Sequence, residues 1–135
     1  MAVTATPRIG NTGERLDLDI RQGANFGPYE VQEIDDATGL PMALTGKSFQ
    51  GHIRRTPNTA GSPIATFTCQ VVNELLGIWS FSLSAATTAA ISAGNSPTMP
   101  ESRYTYDIEM VDALAGRVEP RLFGNVFVTA ENTKI

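Results

Sequence analysis

Few residues in this chain carry the chemistry of a site. There is one cysteine, Cys69, and one histidine, His52. Cys69 lies in an alternating run, with Ala65, Phe67 and Val71 on its own side and Thr66, Thr68 and Gln70 on the other. In that pattern a thiol behaves as a small buried apolar group rather than a nucleophile. One cysteine forms no intrachain disulfide and no Cys-x-x-Cys pair, and one histidine builds no zinc site. Asp17 and Asp19 stand two residues apart on a strand, but no third ligand follows at a useful spacing, and outward-facing acids are ordinary on strands. Asp107 and Glu109 likewise share an outward face without a partner. The segment Asp35-Asp36-Ala37-Thr38-Gly39 opens like a calcium loop but lacks the later carboxylates, including the bidentate one, and reads as a β-turn closed by glycine. Arg54-Arg55 is the only adjacent basic pair and is too small for a phosphate track. No nucleophile motif and no glycine-rich phosphate loop is present. The residues therefore imply no catalytic group, no metal and no cofactor, and the chain is expected not to be an enzyme.

The function must then lie in surfaces, and the elements that build them follow from composition and periodicity. A chain of 135 residues with 41% hydrophobic and 18% charged residues suits one domain with its own core. The net charge is -4, and seven of the 14 acids fall early (Glu14, Asp17, Asp19, Glu30, Glu33, Asp35 and Asp36). This balance argues against nucleic acid as a partner. No apolar run approaches the roughly 18 residues of a membrane span. The stretch Met1 to Arg8 lacks the apolar core of a signal peptide, so a reducing cytoplasm is the expected place of synthesis and assembly.

Residues 1–13 show no periodicity and read as an extended arm. Residues 14–129 read as the domain and 130–135 as a polar tail. Leu16, Leu18 and Ile20 alternate with Asp17 and Asp19 as a first strand, and Phe26 to Ile34 form a second, with Pro28 marking an edge or a bulge. Phe49, Gly51 and Ile53 make the inner face of a third, and Ala65 to Val71 a fourth. Trp79, Phe81 and Leu83 share the most hydrophobic face in the chain and are expected to fill the core. Ser84 to Ile91 is the one helical candidate, with Ser84 as its N-cap. The chain closes on a long hairpin, Tyr104 to Val111 and Arg117 to Val128, around Asp112-Ala113-Leu114-Ala115-Gly116. The expected fold is all-β: a single antiparallel immunoglobulin-like β-sandwich with one short helix and an extended N-terminal arm.

An ordered series of short motifs carries a resemblance. It comprises Leu16-Asp17-Leu18-Asp19-Ile20-Arg21-Gln22-Gly23, then Asp35 to Gly46 with its Gly-x-Pro-x-x-Leu-Thr-Gly ending, then Ile53-Arg54. Phe81-Ser82-Leu83-Ser84-Ala85-x-x-Thr88-Ala89, Tyr106-Asp107-Ile108-Glu109 and Leu122-Phe123-Gly124-x-Val126-x-Val128 complete it. Over residues 14–129 the series resembles small β-sandwich virion proteins of tailed bacteriophages, similar to the N-terminal domain of upper baseplate proteins and to accessory proteins of the tail and fibre cluster. The resemblance implies a non-enzymatic structural role, joining neighbouring proteins in the tail, baseplate, fibre-attachment or neck region. It implies partners among other virion structural proteins, several copies in a symmetric assembly, and a virion location, with no nucleic acid, membrane or small-molecule substrate. A capsid-surface decoration protein and a host-surface carbohydrate-binding module are the alternatives. A sugar-binding module would ordinarily show aromatics on exposed loops, whereas the only tryptophan here lies in a strand pattern.

Five residues are candidates for partner contact. Val3, Pro7 and Ile9 lie on the arm, which is expected to lie on a neighbouring subunit or to fold back on its own sandwich. Phe123 and Phe127 have the parity opposite to Val118, Leu122, Val126 and Val128, which would face the core. The two phenylalanines are read as the apolar centre of a contact. Cover by the helix, or a bulge at Gly124 that flips the parity, would account for them otherwise.

Overall fold

The computed structural model of the protein describes residues 7–55, 62–93 and 101–130. The elements are β1 (Arg8–Ile9), β2 (Glu14–Arg15), β3 (Leu18–Arg21), β4 (Phe26–Glu33), β5 (Lys47–Arg54), β6 (Ala65–Thr66), β7 (Thr68–Asn73) and β8 (Ile78–Leu83). The helix α1 (Ala85–Ala89) and the strands β9 (Glu101–Asp112) and β10 (Arg117–Thr129) follow. They form two sheets, one ordered β1-β4-β8-β7 and one ordered β2-β10-β9-β5-β6, with β3 also paired to β10. Val31, Trp79 and Phe81 of the first sheet and Ile53, Ile108 and Val126 of the second belong to one hydrophobic core. Across that core the rings of Phe49 and Trp79 stack at 4.2 Å, and Phe67 meets Tyr106 edge-on at 5.8 Å.

The long hairpin occupies the middle of the larger sheet because β9 is paired on both edges, by β10 and by β5. Tyr104, Tyr106, Ile108 and Met110 are buried, so the period of two expected of this strand places its apolar face inward. The turn is fixed by Asp112, whose Oδ1 accepts the main-chain N–H groups of Leu114 and Ala115 at 3.2 Å each. Ser84 caps α1 by accepting the Thr87 N–H at 3.2 Å. Thr88 then clasps the β3–β4 turn, donating to the Ala24 carbonyl at 2.8 Å and accepting the Gly23 N–H at 3.1 Å.

Three expectations are corrected. Both sheets are mixed rather than antiparallel, since β1 runs parallel to β4, and β2 and β3 run parallel to β10. The all-β class holds, and the parallel pairs arise because the N-terminal segment crosses from one sheet to the other. Residues 7–13 are that crossing, so of the two placements expected for the arm they take the fold-back on their own sandwich and belong with the domain rather than outside it: Ile9 lies in the core, and the backbone of β1 is laced to β4 by Gln32 N–H to Pro7 O at 2.8 Å and Ile34 N–H to Ile9 O at 3.0 Å. Gly13, at φ 76°, brings the chain so close to β10 that a Cβ there would sit 2.7 Å from the Pro120 carbonyl oxygen. The third correction concerns Val118, which is exposed. A bulge between Pro120 and Leu122 resets the alternation, so Arg121 and Leu122 are both buried and Val118 falls on the outer face.

Candidate functional site

The most unusual interior feature is polar. Arg121, placed inward by the bulge, is 1% exposed, and Glu33 at the end of β4 is 0% exposed. Their closest approach, Nη2 to Oε1, is 2.6 Å, a contact held by charge while Nη2 donates to the Gly10 carbonyl. Nη1 donates to the Asn11 carbonyl at 3.1 Å, and the Trp79 Nε1–H donates to Glu33 Oε2 at 3.0 Å. This knot joins β4 and β8 of one sheet, β10 of the other, and the crossing segment between them. Burial pushes the Glu33 carboxyl above its ordinary range, offset in part by Arg121, the Trp79 N–H and the charge of Lys47. The pair links the parts it touches, and removing either partner alone would leave the other buried without its counter-group. Burial also pushes the Cys69 thiol up to about 11, which leaves it protonated and unreactive at neutral pH. Among the described residues no group of three or more His, Cys, Asp or Glu could hold a metal ion, and no helix is long and apolar enough to cross a membrane.

The surface shows the opposite anomaly. At one end of the sandwich three turns meet: residues 34–46 between β4 and β5, 74–77 between β7 and β8, and 113–116 between β9 and β10. They are tied by main-chain bonds, Leu44 N–H to Glu74 O at 2.9 Å and Ala113 N–H to Gly46 O at 3.3 Å. Gly77, at φ 69°, packs so tightly that a Cβ would lie 2.5 Å from the Met42 carbonyl oxygen. On this braced end stand Leu40, Leu75 and Leu114, which are 63%, 78% and 82% exposed, with Leu76 beside them. They are the three most exposed large hydrophobic residues among the described ones. Leucines exposed singly are ordinary on protein surfaces, but here three stand on turns bonded to one another.

The residues expected to touch partners are dispersed. Val3 lies outside the described residues. Pro7 is exposed on the wall of a groove between the sheets, whereas Ile9 is buried against its own domain and is closed to any partner. Phe123 is 37% exposed on the outer face of the larger sheet, and Phe127 on the same face is half-buried. The hydrogen bonds of α1 go to the β3–β4 turn rather than to a cover over these rings, and the bulge lies before Leu122 rather than at Gly124. Phe123 sits in a cross-strand row, Arg15, Phe123, Asp107, His52 and Thr66, running over β2, β10, β9, β5 and β6. Arg15, Phe123, Asp107 and His52 of that row line a shallow depression of about 450 Å³ together with Arg54 and Asn125.

No family model matches the chain, and no curated protein matches it. Among solved structures it is similar to the inclusion body protein PixA from Burkholderia cenocepacia J2315, with 14% identity, over 84% of this chain and 59% of that one, at a TM-score of 0.28. So loose a likeness carries neither fold nor function.

Sequence reasoning missed both anomalies. Glu33 and Arg121 were legible only as members of strands, because nothing in a local pattern shows that a bulge turns Arg121 inward. The exposed leucines were hidden in turns, and their signal was composition: Glu74-Leu75-Leu76-Gly77 and Asp112-Ala113-Leu114-Ala115 place leucine where polar turn residues are the rule.

Proposed function

We propose that this protein is a non-enzymatic structural component of a tailed-phage virion that joins neighbouring proteins through the leucine-bearing end of its sandwich. The observation that carries the reading is the set of three exposed leucines on turns braced by the bonds at Leu44 and Gly46. Interface centres are enriched in apolar side chains presented on rigid supports, and a rigid support lowers the ordering entropy of association. The virion setting is supported by the ordered motif series from Leu16 to Val128, and within it the tail, baseplate, fibre-attachment and neck regions are preferred to the capsid surface. Immunoglobulin-like class is part of the same proposal, supported by two sheets over one core. Phe123 and Phe127 are proposed as a secondary contact on the outer face of the larger sheet.

The test is a reconstruction of particles purified from the phage that encodes the chain, with mass spectrometry of the same preparation. The expected result is the chain present in several symmetry-related copies, with Leu40, Leu75 and Leu114 covered by a neighbouring protein. Particles lacking the chain, or holding it with that end open to solvent in every copy, would overturn the reading.

A further inference from the structure

A second surface differs from the leucine end in both shape and charge. A groove of about 630 Å³ runs where β1 and β4 of one sheet face β2 and β3 of the other. Its apolar wall includes Leu16, Leu18, Phe26, Tyr29 and Phe81. Leu16 and Tyr29 are both exposed, so the apolar wall reaches the solvent. Its charged lining is acidic throughout: Glu14, Asp17, Asp19 and Glu30. Asp17 is already engaged, by Arg15 at 3.3 Å and by the Asn125 N–H at 2.9 Å. Among the described residues no cation is paired with Glu14, Asp19 or Glu30.

The groove also presents main-chain groups. β1 covers β4 only at Gln32 and Glu33, where the Gln32 N–H reaches Pro7 O. Because main-chain direction alternates along a strand, the N–H and C=O of Glu30 point to that same edge, two residues short of β1. Among the described residues no strand is paired there.

We propose that this groove binds an extended segment of another protein that carries lysine or arginine on either side of an aliphatic or aromatic side chain. The cations would meet Glu14, Asp19 and Glu30, the apolar side chain would enter between Leu16 and Tyr29, and the segment's backbone would pair with the open edge at Glu30. Charge selects this occupant. A second copy of the chain brings a net charge of -4 to an acidic groove, and residues 1–6 contain no lysine or arginine. Like charges brought together in this way are strongly disfavoured, whereas complementary ones speed encounter and set register. The inference does not rest on the virion reading.

The probe is a short fluorescent peptide alternating lysine with leucine and phenylalanine, compared by anisotropy with its glutamate-for-lysine counterpart. The lysine peptide should bind and should weaken as salt rises. The Glu14→Lys/Glu30→Lys double variant should lose about tenfold or more in affinity while keeping its melting temperature, since both residues are exposed. Tyr29→Ser should also weaken binding. Leu75→Lys should leave binding unchanged, which separates failure of this groove from failure of the leucine end. Equal binding of the two peptides, or full affinity in the double-charge variant, would overturn the proposal. So would binding that appears only after residues 1–6 are removed, because the groove would then belong to the chain's own terminus.

Discussion

The Glu33–Arg121 knot and the leucine end reverse the usual placement of residues. In the first, a carboxyl and a guanidinium are buried between sheets. In the second, leucines stand in water on turns. The difference between them lies in what each holds together. The knot gathers elements distant in sequence: β4, β8, β10 and the crossing at Gly10 and Asn11. Its partners are within the chain, and the low dielectric that makes its burial costly also strengthens the contacts between them. The leucines do little within the chain beyond the packing of Leu114 over Gly46. Their turns are already closed by main-chain bonds and by Leu44, which is buried, so most of their side-chain surface stays in water. One region ties distant parts of the chain together, and the other stands outside those ties.

The largest effect should come from breaking the knot. Arg121→Met leaves Glu33 buried without its cation and should cost about 3–5 kcal/mol in urea unfolding, less at acid pH where the lone carboxyl takes a proton. Adding Glu33→Leu should restore most of that loss, because an apolar pair of similar volume removes the uncompensated charge. A cost below about 1 kcal/mol for Arg121→Met would mean that the network is ornamental and the comparison fails.

A smaller loss sharpens the account of how Trp79 serves the knot. Trp79→Phe keeps an aromatic ring against Phe49 but withdraws the N–H from Glu33 Oε2. The expected cost is about 1–3 kcal/mol, for the unsatisfied oxygen together with the lost ring volume. In the background of Glu33→Leu/Arg121→Met the same change should cost less, and equal costs in both backgrounds would mean that Trp79 acts through packing alone.

The pH dependence is smaller still and has a definite sign. The folded pKa of Glu33 lies above its ordinary value of 4.5, so its contribution to stability is full below 4.5 and is lost as pH rises through the folded pKa. Wild type should therefore lose stability relative to Glu33→Gln across that window, as read from urea midpoints at a series of pH values. A difference that grows in favour of wild type with rising pH would mean that Arg121 outweighs desolvation.

How much of this was legible in the sequence follows from what is local. The closing hairpin, the buried face of Trp79 and Phe81, and the Ser84 cap could be read because alternation and capping depend on neighbours in the chain. The fate of residues 7–13 could not, since Ile9 has no periodic companions and its burial depends on β4, more than twenty residues away. Val118 was misplaced for a related reason: parity carries through a strand only until a bulge, and the Pro120–Leu122 shift has no mark beyond the proline. Of the contact candidates, Phe123 remains on the surface where parity put it, because it lies beyond the bulge with Leu122, Val126 and Val128 inward.

The smallest expected effect on folding belongs to the leucine end, and it bears most directly on the claim that this end faces a neighbour. The measurement pairs two readouts on Leu75→Lys/Leu114→Lys: the unfolding free energy of the free protein and its incorporation into particles. Stability should be unchanged within about 0.5 kcal/mol, as for exposed sites generally, with incorporation lost. A stability loss of several kcal/mol, or normal incorporation of the variant, would contradict it.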